Sequence, residues 1–329
     1  VIMYAQDDAD EQASQVSDMT EEGISAMVIA PVDPYGLSEE LKAAKEAEIP
    51  VIAYDDLIMN TDALKYYVTF GGRQIGQLIG QEIIDKEELE KLQEAKESKT
   101  IEFFMGSLDD EQALFFYNGL MEKLQPYLDD GTLVCKSGQI TFEETGILRW
   151  SMDEAQSRAE ETLSEFYSDT ETPDIICTGF DGAAEGVLKA LRNDGLTLGE
   201  NWPMITRVGC DADAVRDNAE SEIACSVFMD RRVLADQAED MVNVYLHGED
   251  DPEVNDYEQY DNGTKIIASY LCEPQLINID NYEILIDNGY YTEDEVKPEE
   301  TPTPEPTVTP EMTEKPDVTA TPEVTESPE

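Results

Sequence analysis

Five short apolar runs in this chain end in a carboxylate, and these carboxylates are the side chains best placed to do chemistry. They fall in Asp55-Asp56, Ser107-Leu-Asp-Asp-Glu-Gln112, Phe180-Asp181-Gly182, Cys210-Asp211 and Met229-Asp230. An aspartate at such a place accepts hydrogen bonds from a small polar ligand, or it caps the helix that follows. Asp181 and Asp211, directly ahead of helical patterns, are the most open to the capping reading. Gln112 adds an amide. Trp150 stands alone among polar neighbours in Arg149-Trp150-Ser151; its indole can stack on the apolar face of a sugar ring or simply pack a lobe edge. Acids, an amide and one aromatic face suit a polyhydroxylated ring better than they suit catalysis.

Other chemistries find little support. His247, the single histidine, follows a long helical pattern in Leu246-His247-Gly248, a helix-end position that favours a cation. No nucleophile elbow, zinc-protease pair or phosphate loop is present. Asp211-Ala-Asp213 opens like a calcium loop but lacks the Asp/Asn-Gly that must follow, and Gly71, Gly72, Gly76 and Gly80 do not form the dinucleotide fingerprint. Neither a catalytic residue, a metal nor a cofactor is expected. The five cysteines lie far apart without CxxC spacing, which argues against a zinc ribbon or dithiol site. Their odd number excludes a complete disulfide framework, and Cys135, Cys177 and Cys225 in apolar runs read as small buried side chains.

The 329 residues carry a net charge of −54. A surface that acidic repels phosphate backbones and anionic membranes, so nucleic acid is not a partner. No run approaches the roughly 18 apolar residues of a membrane helix.

What must position the carboxylates is a repeated alternation of strand and helix. Val1–Ala5 reads as a buried strand, followed by a helix over 11–22, a strand over 26–30 and a helix that Ser38 would cap. Strands over 51–54 and 66–70 precede a helix over 75–92, then a strand over 101–105. The pattern restarts with helices near 111–124, 153–167, 183–193, 212–219 and 231–246, interleaved with strands near 133–137, 174–178, 204–208 and 223–228. Short apolar strands separated by helices imply βαβ units and a parallel sheet. Two such halves predict an α/β protein of two doubly wound lobes facing a cleft, where ligands bind at the carboxyl ends of the strands. Asn262-Gly263 signals a hairpin turn. From Lys297 the sequence turns to Thr, Pro and Glu, with half of the 16 prolines; residues 298–329 read as a disordered tail, a spacer, a glycosylated stalk or an inert solvated end.

The stretch from Pro50 to Phe70 resembles the xylose- and multiple-monosaccharide-binding proteins of bacterial ABC sugar importers. So do Gly106-Ser-Leu-Asp-Asp110, Phe115-Phe-Tyr-Asn-Gly119, Trp150 with Ala155-Gln-Ser-Arg158, Pro252-Glu-Val-Asn255, Tyr260-Asp-Asn-Gly263 and Asp287-Asn-Gly-Tyr-Tyr-Thr-Glu-Asp294. The resemblance runs over residues 1–296. It implies a type I periplasmic binding protein: two Rossmann-like lobes with three hinge crossings, near Gly106–Ser107, Phe228–Asp230 and Leu271–Pro274. Lobe 1 would hold 1–106 and 229–273, and lobe 2 would hold 107–228 and 274–297. Val1–Ala5 looks like the second strand of that fold, so the first strand and helix are expected to be missing. The implied partners are a monosaccharide and an ABC permease. The expected protein is a monomer outside the cytoplasm, lipid-anchored through a segment absent from this chain.

Asp55, Asp56, Gln112, Trp150, Asp181 and Asp211 are the expected ligand contacts. Departures from the family pattern bear on what they hold. Its Tyr-Asp-Arg is Tyr54-Asp55-Asp56 here, its paired asparagines are Glu111-Gln112, and Phe-Asp-Asn has become Phe70-Gly71-Gly72. Phe180 and Cys210 replace an Asn and a Gln, and Met229 replaces a Lys. Four lost polar contacts at about 1 kcal/mol each would weaken binding about a thousandfold. Losing cations beside retained carboxylates would also raise the carboxylate pKa values, which a cationic or amino-sugar ligand would relieve. Besides import, the residues leave open a receptor-coupled sensor and a binding protein whose ligand has changed or decayed. A related repressor lacks its basic segment here, and an enzyme lacks a nucleophile–base pair.

Overall fold

The computed structural model describes residues 1–167, 171–199, 201–248 and 251–296. Helix α1 (Ala9–Glu22) starts under Asp8, whose carboxylate accepts from the amides of Asp10 and Glu11, and stops at Gly23 in the left-handed region, the usual glycine terminator. Then come β1 (Met27–Ile29), α2 (Ser38–Glu46), β2 (Val51–Tyr54) and β3 (Leu64–Phe70). Helices α3 (Gly72–Lys86) and α4 (Leu89–Ala95) lead to β4 (Lys99–Phe104), α5 (Glu111–Asp129), β5 (Leu133–Val134), α6 (Phe142–Thr145) and α7 (Met152–Phe166). The winding continues through β6 (Ile175–Thr178), α8 (Asp181–Asn193), β7 (Met204–Val208), α9 (Ala212–Ala219), β8 (Cys225–Phe228) and α10 (Arg231–His247). It ends with β9 (Ser269–Cys272), β10 (Gln275–Ile277), α11 (Ile284–Asp287) and α12 (Glu293–Val296).

The strands form two sheets. One is all parallel, ordered β1-β2-β3-β9; the other is ordered β10-β8-β7-β6-β4-β5, with only β10 antiparallel. Alternate residues serve opposite faces, as strand geometry demands. Val51, Ala53 and Tyr67 pack toward Val16 of α1 and Leu41 and Ala44 of α2, whereas Ile52 and Val68 share a core with Leu234, Ala238 and Met241 of α10. In the second sheet Ile101, Phe103, Ile175 and Cys177 face α3 and α5, and Phe104, Ile176 and Ile205 face α7 and α8. Burying both faces is what makes these strands read as continuous apolar runs.

The chain passes between the sheets three times. Two passages, Phe228 to Arg231 and Cys272 to Gln275, fall where the sequence placed them. The first does not: β4 pairs with β5 and β6, and α3 packs along α5. The passage therefore follows Phe70, and residues 71–106 belong with the second sheet rather than the first. Periodicity identifies a strand but not the sheet that supplies its hydrogen bonds. Four smaller expectations are also corrected. Val1–Ala5 forms no ladder and is largely exposed, lining with β1 an open groove of about 1040 Å³. Ser38 is the first helical residue, with Leu37 ahead of it and no side-chain cap. The helix expected over 75–92 breaks at Glu88, which lies in the left-handed region between α3 and α4. Asn262-Gly263 makes a tight turn with one bridge, Asp261 to Ile266, instead of a hairpin; Asn262 also ties that turn to the carbonyls of Ile58 and Thr61. The tail expected over 298–329 lies outside the described residues.

The α3–α5 contact is closer than side chains permit. A Cβ on Gly76 would sit 2.0 Å from the Phe116 carbonyl oxygen, and one on Gly119 would sit 2.0 Å from that of Arg73. Gly119→Ala is therefore expected to cost about 2–3 kcal/mol by forcing the helices apart. Urea denaturation checks it; an unchanged midpoint would show that these backbones do not approach this closely.

Candidate ligand-binding site

All six residues singled out in the sequence line one cleft of about 710 Å³ between the carboxyl ends of the two sheets. Asp55 and Asp56 come from the end of β2. Asp55 adopts a left-handed backbone, a conformation aspartate tolerates better than most residues. Its carbonyl is held by the hydroxyls of Tyr67 at 2.6 Å and Thr69 at 2.8 Å. That fixes the main chain and leaves both carboxylates facing the cleft. Neither accepts a hydrogen bond from any described residue. Asp110 caps α5 by accepting from the Gln112 amide at 2.7 Å. Gln112 donates its side-chain N–H to Tyr67 Oη at 3.0 Å, while its buried Oε1 has no partner among the described residues.

Trp150 both packs and remains available. Its ring meets Phe180 edge-on at 5.2 Å and crowds Gly106, where a Cβ would lie 2.4 Å from the indole. Trp150 as a whole is still 38% exposed and lines the cleft wall. The short turn carrying it is held by Ser107 Oγ, which accepts from the Arg149 amide at 2.7 Å.

Asp181 and Asp211 converge on Arg207, a fully buried residue of β7 that the sequence reading missed. Arg207 Nε donates to Asp181, one terminal nitrogen donates to Glu185 and Asp217 at 3.2 and 2.9 Å, and the other reaches Asp211 at 3.4 Å. Gly209, at φ +113°, lets Asp181 lie across the chain where a Cβ would meet its oxygen at 2.0 Å. The capping question divides: Asp211 caps α9 through the Ala214 amide, and Asp181 is the first helical residue of α8 and caps nothing.

The periplasmic binding protein domain family matches residues 1–250. A multiple sugar-binding periplasmic receptor of Rhizobium radiobacter is 39% identical over 298 residues, covering 90% of this chain and 83% of the receptor. The D-xylose-binding periplasmic protein of Escherichia coli is 26% identical over 298 residues, covering 90% and 82%. A solved ABC transporter solute-binding protein from Clostridium phytofermentans, with bound β-D-glucose, is 40% identical at a TM-score of 0.78, covering 90% of this chain and 89% of that one. The chain belongs to the periplasmic binding protein family.

In this binding protein the charges divide unevenly. Arg231, at the start of α10, is the only basic side chain on the cleft wall among the described residues, against Asp55, Asp56, Asp110, Asp181 and Asp211. Its charge opposes the rise that partial burial imposes on Asp55. Asp56 keeps a water-facing side yet is flanked by protein; this partial burial, with like charge from Asp55 and Asp110, pushes it up to about 6. Asp217 is also raised to about 6, because burial and the charges of Glu185 and Glu222 outweigh Arg207 and Arg192. Asp181 is raised by burial despite Arg207. The Cys210 thiol, pushed up to about 12 chiefly by burial, stays protonated.

Several lining residues escaped the sequence reading. Tyr290 and Tyr291 close one side, with Tyr291 Oη donating to the Cys210 carbonyl at 2.9 Å and Tyr290 edge-on to Phe228 at 4.6 Å. They lie 80 residues from the loops they join (210 to 290), and only their motif hinted at a role. Arg231 had a local signal: a cation on the first turn of a helix, where the helix dipole disfavours it, implies a nearby acid.

Two outcomes follow from this electrostatic arrangement. Arg207→Leu would strand four carboxylates and is expected to cost about 3 kcal/mol, the low end for a broken buried pair because three of them keep access to water; urea unfolding measures it, and a loss below about 1 kcal/mol would deny the cluster its structural weight. A carboxyl whose pKa rises on folding contributes stability that is full below its ordinary value and lost as pH rises through the folded one. Asp56 and Asp217 shift from 3.8 to about 6, so the melting temperature should be higher at about pH 5 than at about pH 7. Asp56→Asn and Asp217→Asn should each narrow that gap; variants with the same gap as wild type would refute the assignment.

Proposed function

We propose that this chain captures a monosaccharide in its cleft and hands it to the permease of an ABC importer outside the cytoplasm, without chemistry of its own. The observation that carries this is one cleft whose walls come from both sheets. Asp55 and Asp56 stand on one side, and Trp150, Asp181 and Asp211 on the other. A ring held between them is gripped from both sides only when the lobes close, so binding favours the closed state. Trp150 offers its exposed ring to an apolar sugar face, and the carboxylates and Gln112 take the hydroxyls. The relatives bear on the ligand class: one is described as a sugar receptor, and another was solved holding glucose.

Catalysis has no obvious agent in this reading. The Cys210 thiol is held protonated, and His247 bonds the Asn243 carbonyl at the far end of α10. No helix among the described residues is long and apolar enough to cross a membrane; a lipid anchor would hold the protein, as a monomer, near its permease.

Thermal denaturation of the folded protein against D-glucose, D-xylose and other pentoses and hexoses tests the proposal. Binding to the folded state raises the melting temperature by mass action. At least one monosaccharide should do so, and Trp150→Ala or Asp211→Ala should weaken that sugar about tenfold or more by calorimetry. A folded protein that no monosaccharide stabilises would overturn it.

A further inference from the structure

The carboxylates of the cleft differ in whether their hydrogen-bonding capacity is already used. Asp211 is engaged by the Ala214 amide and Arg207, Asp181 by Arg207, and Asp110 by the Gln112 amide. Asp55 and Asp56 accept nothing through their side chains from the described residues, although they are adjacent and face the same space. Among the cleft acids Arg231 bears on Asp55; the charged groups that act on Asp56 are Asp55 and Asp110, both negative. This wall is rich in acceptors and poor in donors, and it carries uncompensated negative charge. A carboxylate only accepts, and a sugar hydroxyl supplies one proton, whereas an ammonium supplies three and a positive charge. A bare metal ion does not suit the wall as well, because no three of its acidic groups, among the described residues, converge closely enough to hold one.

We infer that the ligand is a monosaccharide bearing a protonated amine, seated with the amine against Asp55 and Asp56, and that sugars bearing a carboxylate are rejected. The inference rests on the proposed sugar-binding role and narrows it. The remaining hydroxyls would meet Gln112, Asp181 and Asp211, with the ring over Trp150. Arg231, standing beside Asp55, prevents that acid from competing equally for the amine, so Asp56 is the main specificity determinant.

Calorimetric titration with D-glucose, D-glucosamine, N-acetyl-D-glucosamine and D-glucuronate at about pH 6.5 tests this, since a sugar amine is largely protonated there. Glucosamine should bind at least about tenfold more tightly than glucose, the scale of one charge-assisted hydrogen bond. Its N-acetyl derivative should lose that advantage, and glucuronate should bind most weakly. Asp56→Asn keeps the shape and removes the charge, so the ratio of glucosamine to glucose affinity should fall to about one, whatever the change in glucose affinity itself. Circular dichroism confirms its fold, and Asp56→Glu should restore part of the preference. Glucose binding as tightly as glucosamine, or a preference that survives Asp56→Asn, overturns the inference and leaves the sugar-binding role intact. Failure of all four sugars and of every other monosaccharide would overturn both.

Discussion

A guanidinium sealed from water must find its counter-charge inside the protein, and Arg207 governs how one side of the cleft is built. It lies on β7, which pairs in parallel with β6, so the loops after β6 and β7 both open beside it. Asp181 and Asp211, from those two loops, are drawn onto the same cation, with Glu185 and Asp217 completing the set. A neutral residue in its place would leave these acids repelling one another, and helices α8 and α9 would lose the tie between their first turns. The excess of acid over base here works against stability at neutral pH, but the shared guanidinium fixes two cleft-lining carboxylates in defined positions.

The opposite side solves a different problem by different means. Asp55 and Asp56 are aimed by main-chain contacts, through Tyr67, Thr69 and a left-handed backbone, and not by ion pairs. Tyr67 links the two sides, because its hydroxyl donates to Asp55 and accepts from Gln112 at the start of α5. Position is thus set without neutralising charge. One wall is pre-paired and the other is left to be paired by whatever enters.

The lobes and most strands were legible because doubly buried parallel strands announce themselves as apolar runs, and because carboxylates at their ends repeat. That repetition points to Asp55, Asp56, Asp181 and Asp211, while Gln112 stands out as an amide in a strand-end loop and Trp150 as a lone aromatic among polar neighbours; all six line one cleft. Arg207 was invisible for the opposite reason: in Met204-Ile-Thr-Arg-Val208 a lone arginine breaks an apolar strand, and nothing local says which acids will surround it. Met229 and Asp56 read as losses of cationic groups, yet Arg207 and Arg231 bring guanidinium groups to the same region from other positions. Sequence spacing registers a missing charge at one position more readily than its replacement in space. The first passage between sheets was misplaced because β4 is chosen by hydrogen bonding to β6 and by glycine-mediated contact of α3 with α5, both non-local.

Charge also bears on the conformational cycle that such a cleft implies. Asp56 follows β2 of the first sheet and Asp110 stands at the head of α5 beside the second, and the charge of Asp110 raises the cost of ionising Asp56. Drawing the lobes together without a ligand concentrates like charges as water leaves, which strengthens their repulsion. A donor-rich ligand between them reverses the sign of that term, since each carboxylate then meets a proton or a positive charge instead of another carboxylate. On the proposed lobe closure, the same side chains would bias the empty protein open and the occupied one closed. Discrimination and closure would then be a single energetic event: a ligand that cannot satisfy Asp56 would be both held less tightly and less able to keep the lobes together.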